Sequence, residues 1–87
     1  MNPLALAIYV SSMCSSTLTI AQIKTRLLDV KTSALSNPDS PARRQDVAWY
    51  CDQVTAAIVN MEAGVPAWSP AEIKQQIGGS ISSLISN

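Results

Sequence analysis

The sequence contains no histidine, and only 14% of its residues are charged. Each shortage excludes something. Without histidine there is no Ser-His-Asp or Cys-His pair, and a serine nucleophile needs a base within reach. The twelve serines include no glycine-bounded nucleophile elbow. Gly78-Gly79-Ser80 is the nearest approach to a phosphate loop, and it lacks the lysine that such a loop requires. The two cysteines, Cys14 and Cys51, stand alone with no partner at metal-ligand spacing. Asp46 and Glu62 fall at opposite ends of one expected helix and cannot work as a carboxylate pair. No catalytic, cofactor-binding or metal-binding residue is therefore assigned, and an enzyme is not expected.

Charge is also missing in a second sense. Six basic residues balance six acidic ones, so there is no basic stripe of the kind that tracks a phosphate backbone. The only basic pair, Arg43-Arg44, is flanked by Asp39 and Asp46. Nucleic acid is not an expected partner. Long apolar runs are absent too. The longest, Leu4 to Val10, is far shorter than the roughly 20 residues a membrane-spanning helix needs. No Lys or Arg precedes it, as a secretory signal would require. A location in the host-cell cytoplasm or in a virion is expected, with no membrane span.

What is present is helical patterning. At 87 residues the chain is one small domain. Ile20, Ile23, Leu27, Val30 and Ala34 form one stripe; Val47, Cys51, Val54, Ile58 and Met61 form another. Both advance by three and four residues, which places each set on one helical face. Leu28 and Leu35 widen the first stripe on one side. The segment Ser36-Asn37-Pro38-Asp39-Ser40-Pro41 separates them as a turn, because Pro38 disfavours a helical Asn37. A helical hairpin over 19–36 and 40–63 is the expected frame.

Local signals mark the ends. Thr19 with Gln22 has the spacing of a capping box, and Leu18 with Ile23 that of a hydrophobic staple. Ser40-Pro41 is a cap followed by proline, and Gly64 with Pro66 supplies a stop. Ser69-Pro70-Ala71-Glu72 starts a further helix, continued by Ile73, Ile77, Ile81 and Leu84 or Ile85. Gly78-Gly79 interrupts it at a cost of roughly 2 kcal/mol relative to alanines. Either the glycines admit another backbone or the helix ends there. An all-α fold of three or four helices is predicted, with 69–86 packed across the hairpin.

The first segment is less decided. Asn2-Pro3 is a helix start, and Leu4, Ile8 and Ser11 share a helical face. Yet Leu6, Ile8 and Val10 alternate with Ala5, Ala7 and Tyr9 as in a strand. A helix is favoured by the cap and the Ala/Leu content. Residues 1–17 and 78–87 carry no charge, so each is either folded onto the hairpin or held by another chain. Cys51 lies on an apolar stripe and acts there as a small hydrophobe. A Cys14–Cys51 bridge is conceivable, but two reduced thiols are expected. Asp52 is placed to pair with a Lys or Arg across the hairpin.

A surface of Ser and Ala rather than Lys and Glu costs little to desolvate, which favours protein contacts in an oligomer, virion or filament. The interface candidates are Tyr9, Trp49, Tyr50, Trp68, Ile81, Leu84 and Ile85. Trp49 and Tyr50 point about 100° apart on a helix, so at most one joins the stripe. The other is either an interface anchor or packed under an end segment.

The stretch Leu18-Thr19-Ile20-Ala21-Gln22-Ile23-Lys24-Thr25-Arg26-Leu27, with Pro70-Ala71-Glu72-Ile73-Lys74-Gln75-Gln76-Ile77, resembles small helical head–tail connector proteins of tailed bacteriophages. The turn Asn37-Pro38-Asp39-Ser40-Pro41 is similar to that of type III secretion needle subunits. Both resemblances imply a non-enzymatic assembly subunit whose partners are copies of itself or other virion or filament proteins. The rival class is a small module that binds one host protein through Trp49, Tyr50 or Trp68.

Overall fold

The structure, a computed structural model, describes residues 2–36 and 41–86, without the side chains of 41–43, 82 and 84–86. The described residues form four helices: α1 (Pro3–Cys14), α2 (Ile20–Ser36), α3 (Pro41–Glu62) and α4 (Pro70–Ser86). No strand occurs among the described residues, so the protein is all-α. The first segment is helical despite its alternating pattern. The expected turn residues 37–40, including the Ser40 cap, lie outside the described residues.

The helix starts are built as their sequences direct. The Asn2 carboxamide oxygen accepts from Ala5 N–H at 2.8 Å, with Pro3 at the first helical position. At α2, Gln22 N–H donates to Thr19 Oγ1 at 3.1 Å and Thr19 N–H donates to Gln22 Oε1 at 2.9 Å. At α4, Ser69 and Glu72 make the same reciprocal pair, each bond 3.2 Å. These boxes satisfy N–H groups that no helical carbonyl can reach. Thr19→Ala and Ser69→Ala are each expected to cost about 0.5–2 kcal/mol, read as a lower urea midpoint.

α2 and α3 form the expected antiparallel hairpin. Ile20, Ile23, Leu27 and Ala34 are buried on one side, and Val47, Ala48, Cys51, Val54 and Ile58 on the other. Two ion pairs cross it, Lys31–Asp52 and Lys24–Glu62, both at 2.8 Å. Asp52 thus finds the cross-hairpin partner its position suggested. Both pairs are solvent-accessible, so each contributes ~0–1 kcal/mol and mainly sets register.

α4 packs on the α3 side of this hairpin, but the hairpin is not its main partner. It pairs chiefly with α1, and α3 touches all three other helices. The reason lies in α1 and in Gly78. α1 buries Leu6, Ala7, Val10 and Met13, a face only another apolar face can cover. α4 answers with buried Ile73, Ile77 and Ile81. Gly78 sits where the two backbones come close: a β-carbon there would lie 3.1 Å from Cβ of Cys14. The glycine pair therefore does not end the helix, and α4 continues to Ser86. Lys74 Nζ donates to the Ser16 carbonyl at 2.8 Å, placing a cation just beyond the C-terminus of α1, where the helix dipole favours it.

Fifteen side chains from all four helices form one core cluster. No polar or charged side chain is buried among the described residues, so the core is held by apolar packing. Leu18 packs against that core, in keeping with its place just before the α2 cap.

Candidate functional site: the apolar outer surface

Seven side chains carry the interface expectation, and the fold treats them differently. Trp49 points outward from α3 and is 53% exposed. Tyr50, one helical step on, packs against the core. Their rings meet edge to face, 4.9 Å apart at 73°, so Tyr50 braces Trp49 in its outward position. Trp68 is also exposed, in the α3–α4 loop. Its N–H donates to the Met61 carbonyl at 3.2 Å, folding that loop back onto the end of α3.

Tyr9 is half-buried, packed against the core from α1. It lines a groove of about 620 Å³ with Arg26, Asp29, Val30 and Ser33 of α2. The groove exists because α1 pairs with α4 and α2 with α3, leaving the α1–α2 seam open. Ile81 is a correction. It is 1% exposed and belongs to the monomer's core, because it continues the Ile73–Ile77 stripe that covers α1. The side chains of Leu84 and Ile85 lie outside the described residues.

Other apolar surface was not expected. Leu4 and Ile8 share a helical face as their spacing suggests, but that face is turned to water, at 69% and 64% exposure. Leu28 and Leu35 do not widen the α2 core stripe; both are exposed, as are Val59 and Val65. The available signal is negative. α1 has no charged residue to mark its outer side, so its two apolar faces look alike in sequence.

Charge is distributed unevenly over this surface. Every Lys, Arg, Asp and Glu falls between residues 24 and 74. They therefore belong to α2, α3, their connection and the first turns of α4. α1 and the remainder of α4 form a layer without charge.

The reactive groups are quiet. Both cysteines are free. Burial pushes the Cys51 thiol up to about 11, helped by the Asp52 carboxylate beside it and opposed by Lys31. Burial raises Cys14 as well, against the opposing charge of Lys74. Both are protonated thiols at neutral pH, the opposite of an activated nucleophile. Glu72 is lowered, first by the Ser69 hydroxyl and then by the Ser69 backbone N–H, which is a capping role. Among the described residues no three His, Cys, Asp or Glu side chains come together as a metal site. No described helix is long and apolar enough to cross a membrane. No protein-family model matches the chain, and no curated protein or solved structure is significantly similar to it.

Proposed function

We propose that this chain is a non-enzymatic assembly subunit. Its helices form a rigid frame, and its outer apolar side chains dock on copies of itself or on a larger protein complex. One observation carries the reading. Leu4, Ile8, Leu28, Leu35, Trp49, Val59, Val65 and Trp68 all stand out in water on a domain of only 87 residues. Single exposed apolar residues are ordinary, but a small surface so rich in them and so poor in charge suits repeated protein contact. The likeness of the α2 and α4 starts to phage head–tail connectors supplies the setting: a virion, or the host cytoplasm in which it is assembled. Light scattering over a concentration series tests the reading. Mass rising above that of one chain supports it, and a mass of one chain throughout argues against it.

A second reading has its own observation. Trp49 is held outward by Tyr50, and Trp68 is exposed in the loop that follows the same helix. That is the residue chemistry of a binding anchor for one host protein. Trp49→Ala and Trp68→Ala separate the readings. Each is expected to keep the fold, with Trp49→Ala losing about 0.5–1.5 kcal/mol from its ring contact. Unchanged self-association in both variants, with loss of a host partner, would favour the module.

A further inference from the structure

We infer that the uncharged α1/α4 layer is the self-association face, and that its occupant is the same face of a second copy. This rests on the assembly reading above and names its partner. Three observations lead to it.

The first is register. Cys14 of α1 meets Gly78 of α4, and Ser16 meets Lys74. Moving forward along α1 moves backward along α4, so the pair is antiparallel. Six residues back from Cys14 is Ile8, and six on from Gly78 is residue 84. The exposed end of α1 therefore lies beside the uncharged end of α4. Glu72 and Lys74 are at the opposite end, about 15–18 Å away at 1.5 Å per residue.

The second is charge matching. An average soluble protein has about a quarter of its residues charged, nearly all of them at the surface. Set against Leu4 and Ile8, such a surface would take charges out of water with nothing to pair them, which is costly. An uncharged face mates with another uncharged face, and this molecule supplies one. Contact between two identical patches is the geometry of a twofold dimer.

The third is area. α1 has 12 residues, and α4 runs on beyond its last charge, Lys74, from residue 75 to 86. Side by side these stretches present a face of roughly 350 Å² in projection, from a rise of 1.5 Å per residue and a helix width of about 10 Å. Side-chain relief exceeds the projection, so two copies bury on the order of 1,000 Å², the lower bound for a specific interface. α1 alone falls short of it.

The test is sedimentation equilibrium of the full chain and of three variants, Ile8→Glu, Leu4→Glu and Ala56→Glu, with circular dichroism confirming helicity. All three sites are exposed, so each variant is expected to fold. In a twofold contact each substitution acts twice, setting two carboxylates on an uncharged face. Ile8→Glu and Leu4→Glu are expected to raise the dimer dissociation constant at least ~100-fold. Ala56→Glu, on the hairpin side, is expected to change it less than ~3-fold. If the wild-type chain associates and Ile8→Glu associates equally tightly, the α1/α4 face is wrong while the assembly reading stands. A wild-type chain that stays monomeric up to millimolar concentration overturns both.

Discussion

Leu27→Ala is expected to lower the unfolding free energy by roughly 2–5 kcal/mol. Leu27 is fully buried in the core cluster, near the middle of α2. Truncation removes its transfer free energy and leaves a cavity. The neighbours cannot close it easily, since Ile23, Val54 and Ile58 are themselves packed at 1% exposure or less. A domain of 87 residues has a total stability of about 4–13 kcal/mol, at ~0.05–0.15 kcal/mol per residue. One methyl-rich side chain in the hairpin therefore decides a large share of the folded population. Urea unfolding checks this: the midpoint should fall while the slope stays the same. A loss below about 1 kcal/mol would mean that the α2–α3 seam is not a tightly packed frame.

The adjacent glycines of α4 are expected to respond in opposite directions. A β-carbon placed on Gly79 would meet nothing within 4 Å beyond its own helix, so Gly79→Ala should stabilise the protein by about 0.5–1 kcal/mol through helix propensity. Gly78 faces Cβ of Cys14 at 3.1 Å. That atom is fixed to the α1 backbone and cannot swing aside as a chain end would. Gly78→Val adds two more carbons at this point, and should destabilise by about 1–3 kcal/mol or more as α1 is forced off α4. Thermal unfolding of the two variants gives the result directly. Similar shifts of one sign would place the α1–α4 contact elsewhere.

The contrast between these glycines shows where the sequence is informative. It states the helix starts well, because capping is local chemistry: Thr19 with Gln22 and Ser69 with Glu72 need only each other. It states the α2 and α3 core faces, because Lys24, Lys31, Asp52 and Glu62 stand beside the stripes and mark the way to water. It does not state which face of α1 is inner, since Leu6, Val10, Leu4 and Ile8 are alike in polarity and no charge separates them. Nor can it choose between a helix break and a close contact at Gly78-Gly79. That choice depends on Cys14, which is distant along the chain. Ile81 reads both as a continuation of the Ile73–Ile77 stripe and as an interface candidate, because the helices that flank it, α1 and α3, are distant along the chain. Leu28 and Leu35 sit just off the α2 stripe, where helical spacing alone does not reveal how far α3 reaches around.

Among the contact candidates, Trp49 and Trp68 are legible as aromatic side chains outside the stripes. Tyr9 is legible only as an aromatic; the groove it lines arises from how the two helix pairs leave the α1–α2 seam open. The uncharged layer is visible as two uncharged ends of one chain. Their union into one face requires the antiparallel pairing of α1 with α4.

The central claim is that this small, weakly charged helical frame exists to associate. The most direct measurement is its mass in solution from low micromolar to millimolar concentration, combined with amide hydrogen exchange at the two extremes. The claim predicts a mass that rises with concentration, and slower exchange in α1 and α4 at the high end. A single-chain mass at every concentration, with α1 and α4 equally protected throughout, would contradict it.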